Sequence, residues 1–380
     1  TDALLFGGSI YDSSGPSART EAWNGSAWTE VGGDLGTGRS VGADSGTGST
    51  SAMLAGGSSQ TTATEQWTTS FTPTTLVKIT EGQLFYNSTT NSFKETLTDM
   101  AGATWASISN MNLAREQQAG TGTATAGFIV GGSVPPTKGE TELWDGSSWT
   151  ETGDLNTARR FLMASGTTTA GLAFAGYITN SSALNESFNG SSWSETADMN
   201  TARQAGGGTG TSTSSLATGG TADPGVQALN ESWNGSAWTE VGDLNTARRY
   251  LSMAGVSNTS ALVAGGGPPA STAVESWDGT SWTETTEINT ARWALGGNGT
   301  QTSMLVYGGE EPASSAKTEN WDGSSWTERA DLSAGRYGNG AFGSNATQAI
   351  YAGGVSPPSS VVASGEQWTA DLANKTITAS

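Results

Sequence analysis

Six arginines recur at one register of the chain: Arg115, Arg159, Arg203, Arg248, Arg292 and Arg336. Guanidiniums converging from six repeats could grip carboxylates or sugar acids through their planar forks. A repeated glutamate offers an internal partner instead, as Glu142, Glu186, Glu231, Glu275 and Glu319. Because unpaired buried charge is costly, ion pairing within the fold is the stronger expectation. Phe161, Tyr250, Trp293 and Tyr337 follow four of the arginines by one or two residues; they could stack on sugar rings, with core packing as the competing role. Most Asp and Glu recur once per repeat, which suits architecture better than the single carboxylate pair of a glycosidase. With no His and no Cys, neither a Ser-His-Asp nor a Cys-His nucleophile can be assembled. No acidic turn has the spacing of a known calcium loop. No catalytic residue, metal or cofactor is expected.

Placing six arginines at one register requires a repeat. The stretch from Leu143 to Arg159 returns in near copies around Trp23/Trp28, Phe188/Trp193, Trp233/Trp238, Trp277/Trp282 and Trp321/Trp326, with half copies at Trp67, Trp105 and Trp368. The first aromatic steps from 144 to 188, 233, 277 and 321, a period of about 44 that lies within the range of propellers and solenoids. Turn signals divide each repeat into four short strands; in residues 158–197 these are Ala158 to Ser165, Gly171 to Gly176, Leu184 to Phe188 and Trp193 to Thr196. Asp-Gly or Asn-Gly joins the third strand to the fourth, supplying the positive φ angles of a tight hairpin. The second strand ends in a glycine pair such as Gly131-Gly132 or Gly219-Gly220, and one copy departs with Gly176-Tyr177.

The glycine pair, the aromatic-Asp hairpin, the Trp, the Asp-Leu and the Arg together resemble the kelch repeat of β-propellers over nearly the whole chain. Trp stands where kelch favours Tyr, and the hairpin is shortened. The resemblance implies an all-β propeller of four-stranded blades. Counting arginines gives six blades in residues 81–380, with the strand around Trp105, which lies 44 residues before Trp149, supplying the sixth outer strand. Residues 1–80 then read as the last blades of a preceding propeller, and the chain as part of something longer. Residues 65–80 and 366–378 carry matching endings, Glu-Gln-Trp-Thr followed by Lys78-Ile79-Thr80 in one and Lys375-Thr376-Ile377-Thr378 in the other. The rival arrangement is one eight-bladed ring.

Net charge is -19 and the pI about 4.2, which repels phosphate backbones, so no nucleic-acid partner is expected. No apolar run approaches the roughly 18 residues of a membrane span, and no membrane insertion is expected. The segment from Glu81 to Thr89 looks like the lead-in of tail-fibre and other virion proteins of tailed phages, and the Trp-Asp-Gly wording is similar to predicted structural proteins of aquatic phages. That resemblance implies a virion or extracellular location, homo-oligomerisation and contacts with other virion or fibre subunits. The loops after the second strands, such as Ser133 to Gly139, Thr221 to Gln227 and Glu310 to Ala316, vary most on the repeated frame, the usual way a binding surface acquires selectivity. The expected function is a non-enzymatic virion or tail-fibre propeller presenting loops to a host-surface glycan. A purely architectural fibre or shell protein is the alternative, and a glycan-cleaving enzyme the weaker one.

Overall fold

Glycine, serine, threonine and alanine dominate the strands nearest one axis because six strands must converge there. In a computed structural model, which describes residues 3–6, 18–23, 26–30, 35, 43–48, 51–55, 64–68, 84–87 and 92–376, the chain forms two compact units, Thr1–Ile79 and Thr80–Ser380. The larger unit holds six antiparallel four-stranded sheets. Their innermost strands are Ala119–Thr123, Met163–Thr167, Gly207–Thr211, Ser252–Ser257, Gly296–Thr300 and Gly340–Asn345, and these define blades one to six. Each neighbours the next and the last neighbours the first, so six blades, not eight, close the ring. A Cβ on Gly120 would stand 3.0 Å from the backbone nitrogen of Ala341 in the adjacent blade, closer than side chains normally approach. Small polar side chains bond sideways instead: Thr121 Oγ1 donates to the Gly166 carbonyl at 3.1 Å and Thr209 Oγ1 to that of Gly255 at 2.7 Å.

Farther from the axis there is room for tryptophan, and each blade carries a cross-strand aromatic pair there. Trp144 faces Trp149 across the third and outermost strands of blade one, with ring centroids 5.1 Å apart. Phe188/Trp193, Trp233/Trp238, Trp277/Trp282 and Trp321/Trp326 repeat the contact. The pairs seal one blade to the next, as where Phe128 of blade one meets Trp193 of blade two at 5.8 Å. Rings of this size provide the apolar burial that a chain with so few Leu and Ile otherwise lacks. Blade six takes its outermost strand, Thr104–Ile108, from the opposite end of the unit; it pairs with Gly365–Thr369 and sets Trp105 against Trp368. A further sheet joins Leu372–Thr376, Ser92–Thr98 and Leu84–Asn87. The smaller unit has two three-stranded sheets, Ala3–Phe6 with Thr20–Trp23 and Trp28–Glu30, and Ala43–Gly48 with Ser51–Ala55 and Thr64–Thr68. Lys78 to Thr80 and Ile377-Thr378, parts of the two matching endings, lie outside the described residues, as do 81–83, 88 and 89 of the lead-in.

Three local expectations shift. The hairpin between third and fourth strands is a four-residue loop in which only glycine takes positive φ, 96° at Gly146. Its aspartate acts as an acceptor: Asp145 Oδ1 receives the backbone N–H groups of Ser147 and Ser148, both at 2.8 Å, and these bonds hold the carboxyl well below its usual range. The glycine pair of blade two is Ala175-Gly176, with Ala175 itself left-handed at φ 59°; the sequence offset by one residue had hidden it. The innermost strand of blade two begins at Met163, not Ala158, because the chain makes a left-handed turn at Phe161 first.

In the five blades whose pair begins with glycine, that glycine serves a close approach. Gly219 sits at φ 64°, and a Cβ there would meet the Arg248 carbonyl oxygen at 2.5 Å. Gly219→Ala is therefore expected to lower stability by about 1–3 kcal/mol. Gly225→Ala, where a Cβ meets nothing within 4 Å, should stay within about 0.5 kcal/mol of the parent. Chemical denaturation of the two variants checks the contrast; equal losses would contradict it.

Candidate functional site at the mouth of the ring

Each innermost strand is entered through a short connection pinned across one end of the ring. In blade two, Leu155 is buried, the Asn156 N–H donates to Glu186 Oε2 at 2.7 Å, and Asn156 Nδ2 donates to the Trp193 carbonyl at 3.2 Å. Arg159 completes the staple, donating through Nη2 to Glu186 Oε1 at 2.9 Å and through Nη1 to the Leu184 carbonyl at 2.6 Å. All six repeated arginines do the same. Arg115, Arg159, Arg203, Arg248, Arg292 and Arg336 pair with Glu142, Glu186, Glu231, Glu275, Glu319 and Glu366 at 2.5 to 3.0 Å, every arginine side chain at most 4% exposed. Burial pulls the guanidiniums of Arg115, Arg159, Arg203, Arg248 and Arg292 below their ordinary pKa, with the paired glutamates opposing it. Their Nη donors are spent within the fold and the side chains are buried, while the Nε of Arg115, Arg159, Arg203, Arg248 and Arg292 has no protein partner.

What the arginines position is the pair of residues after them. The residues two places on, Gln117, Phe161, Ala205, Tyr250, Ala294 and Gly338, all adopt left-handed φ between 51° and 66°. Their backbones form a closed cycle: Phe161 N–H donates to the Gln117 carbonyl, Ala205 to Phe161, Tyr250 to Ala205, Ala294 to Tyr250, Gly338 to Ala294 and Gln117 to Gly338, at 2.6 to 3.2 Å. Five of the six are not glycine, and each such residue costs on the order of 1 kcal/mol or more in this region. The cycle and the arginine staples hold them there. Backbone strain of this kind concentrates at ligand clamps.

This cycle lines a cavity of about 420 Å³. Its floor is Gln118, Leu162, Gly206, Leu251, Leu295 and Asn339, one residue per blade. Gln118 Oε1 and Asn339 Nδ2 have no protein partner there. Phe161, Tyr250, Trp293 and Tyr337 form one arc, with successive centroids 5.6, 5.3 and 6.2 Å apart. All four are half-buried, not core. The sequence-derived site thus divides: its aromatics gather at the mouth, and its arginines lie beneath.

Three residues that the sequence reading passed over stand at the mouth, Glu116 in its lining and Arg160 and Arg249 stacked on its aromatic rings. Glu116, Arg160 and Arg249 each directly follow a repeated arginine, and the doublets Arg159-Arg160 and Arg248-Arg249 were a visible signal in a pattern that otherwise has single arginines. Arg160 lies 5.4 Å from the Phe161 ring centroid and 5.0 Å from that of Tyr177, and Arg249 lies 5.1 Å from that of Tyr250. Burial pushes the Glu116 carboxyl up, against a hydrogen bond from Gln117 and the charge of Arg160. Burial likewise raises the Tyr250 phenol, against the pull of Arg249 and Arg160. The loops after the second strands reach the same rim, where backbone bridges join Glu116 to Ser133, Arg160 to Tyr177, Gln204 to Thr221, Trp293 to Glu310 and Tyr337 to Val355.

No protein-family model matches the chain, and no curated protein matches it. Among solved structures it is similar to that of YjhT, at 12% identity and a TM-score of 0.57, over 71% of this chain and 99% of that one. Six four-stranded sheets closed around an axis, with this likeness, decide the architecture. The chain contains a six-bladed β-propeller. At that identity the likeness concerns the fold alone, so the propeller's function has to be argued from its own mouth.

Proposed function

We propose that the propeller is a non-enzymatic binding module of a virion or tail fibre, and that it holds a host-surface glycan at the mouth of its ring. The aromatic arc carries this reading. A sugar presents an apolar face to stack on rings and hydroxyls to bond amides, and the cavity offers Trp293 and Tyr337 above with Gln118 and Asn339 below. The mouth differs from blade to blade while the Arg–Glu staples beneath it repeat, a division between frame and contact surface that suits selective binding. The virion placement rests on the sequence reading alone, in which Glu81 to Thr89 and the Trp-Asp-Gly wording of the repeat resemble virion proteins of tailed phages.

A glycan array on the full chain tests the reading. Trp293→Ala and Tyr337→Ala are each expected to weaken binding of the selected glycan about tenfold, the effect of one lost stacking contact, with the unfolding midpoint nearly unchanged because both rings are half-exposed. Binding that ignores both substitutions would remove the mouth from consideration. Release of new reducing ends from the bound glycan would overturn the non-enzymatic reading.

A further inference from the structure

We infer that the glycan is an acidic oligosaccharide: its anionic group bridges Arg160 and Arg249, and its next residue lies in a groove running outward between the loops of blades two and three. This rests on the mouth being a saccharide site, and it adds a second subsite and a charge to that reading. In a chain of net charge -19, free cations near a cavity stand out. Arg159, one residue earlier, spends its guanidinium on four hydrogen bonds. Among the described residues the guanidinium of Arg160 makes none and no carboxylate comes within 4.0 Å of it; it stacks on the rings of Phe161 and Tyr177, with its Nε buried and unpartnered. Arg249 has one long bond, 3.4 Å to Thr221 Oγ1, and no carboxylate within that range. A guanidinium stacked on a ring by its face keeps its N–H edge for a planar anion.

The two cations belong to blades two and four, and blade three between them contributes Gln204, Ala205 and Gly206. The small Ala205 and Gly206 let Phe161 and Tyr250 meet edge to face across blade three, so both arginines flank one aromatic surface. Arg249 donates to Thr221 Oγ1, Ser181 Oγ donates to the Thr221 carbonyl, and Ser181 bridges Tyr177, on which Arg160 stacks, so one chain of contacts links the two cations. From there a groove of about 640 Å³ opens outward. Tyr177, which stacks on Arg160, and Thr221, which accepts from Arg249, both line it, with Gln204 also in its wall. Asn180, Asn200 and Asp223 supply amide and carboxylate chemistry suited to sugar hydroxyls. Cations at the junction of an aromatic mouth and a polar groove fit a chain of sugars with a charge between two of its rings.

Calorimetric titration of the full chain decides the matter. The probes are galacturonate and glucuronate tetrasaccharides with their carboxyl-reduced counterparts, a carrageenan tetrasaccharide with its desulfated form, and the matching monosaccharides. The acidic tetrasaccharide should bind about 10- to 100-fold more tightly than its neutral counterpart, the range for hydrogen bonds to charged groups; whether the carboxylated or the sulfated series shows this identifies the anion. Arg160→Gln and Arg249→Gln should each erase most of that difference. Asn180→Trp, at an exposed position in the groove, should remove the advantage of the tetrasaccharide over the monosaccharide. If neutral and acidic probes bind alike and both Gln variants match the parent while Trp293→Ala abolishes binding, the inference fails and the mouth reading stands. If no probe binds, both fall.

Discussion

Arg292→Leu should lower the stability of the propeller by about 3–5 kcal/mol, the loss typical when one partner of a buried ion pair is removed. Glu319 is fully buried and accepts from Arg292 Nη2 at 2.7 Å and from the Asn289 N–H at 2.6 Å. Without the guanidinium its charge stays buried with one donor fewer, and the carbonyls of Gly308 and Lys317 lose donors at 3.0 and 2.7 Å. A double replacement, Arg292→Leu with Glu319→Leu, is expected to recover part of the loss, since a paired deletion removes the stranded charge. Denaturant midpoints of the single and double variants measure both effects. A single-variant loss below about 1 kcal/mol would mean that water reaches the pair, against its complete burial. Damage should also reach the mouth, because the Arg292 carbonyl accepts from the Gly266 N–H and Trp293 is the next residue.

The second large effect is expected at the closure. Trp105→Ala should cost about 3 kcal/mol, at the lower edge of the range for truncating a packed tryptophan. The indole contacts Trp368, Tyr307 and Tyr351, with centroids 5.6, 4.8 and 6.3 Å away, and its Nε1 donates to Thr318 Oγ1 at 2.9 Å. It thereby joins blade six to blade five. The other five blades draw all four strands from consecutive sequence, so weakening Thr104–Ile108 should open blade six alone. Hydrogen exchange should accelerate in Gly365–Thr369, its backbone partner, and stay slow in Asn230–Trp233 of blade three. Uniform acceleration across both would contradict a locally held closure.

The fold was legible because its constraints are periodic. A strand that must place a tryptophan opposite its neighbour, then turn through Asp-Gly or Asn-Gly, then bury a leucine or isoleucine and an arginine, repeats those residue types at the same interval, as from Trp233 to Arg248 and from Trp277 to Arg292. Trp105 gave away the shared sixth blade by the same spacing. The site was legible only in part, and for the converse reason. Arg203 stands out by recurring in every blade, whereas Glu116, Arg160 and Arg249 occupy a position whose residue type changes around the ring and so carries no repeat signal. Phe161 and Tyr250 looked like core residues because nothing in the sequence signals the left-handed turn that carries them to the rim. The backbone cycle that fixes this turn runs through Gln117, Ala205 and Gly338, residues with no chemistry in common, so only their coordinates reveal it. Ala175 hid its glycine-pair register because its left-handed φ is held by tertiary contacts, a cost that a residue type does not announce.

Among the tryptophans of the described residues, Trp293 lines the mouth cavity. Its indole N–H resonance therefore reports directly on that site. Titration of a glycan selected on the array into ¹⁵N-labelled protein should shift the Trp293 indole signal in step with the calorimetric binding curve. The paired indoles of the blades, such as those of Trp144 and Trp277, should stay where they are. A binding curve with an unmoved Trp293 signal, or with shifts confined to other tryptophans, would place the ligand elsewhere and contradict the mouth as the binding site.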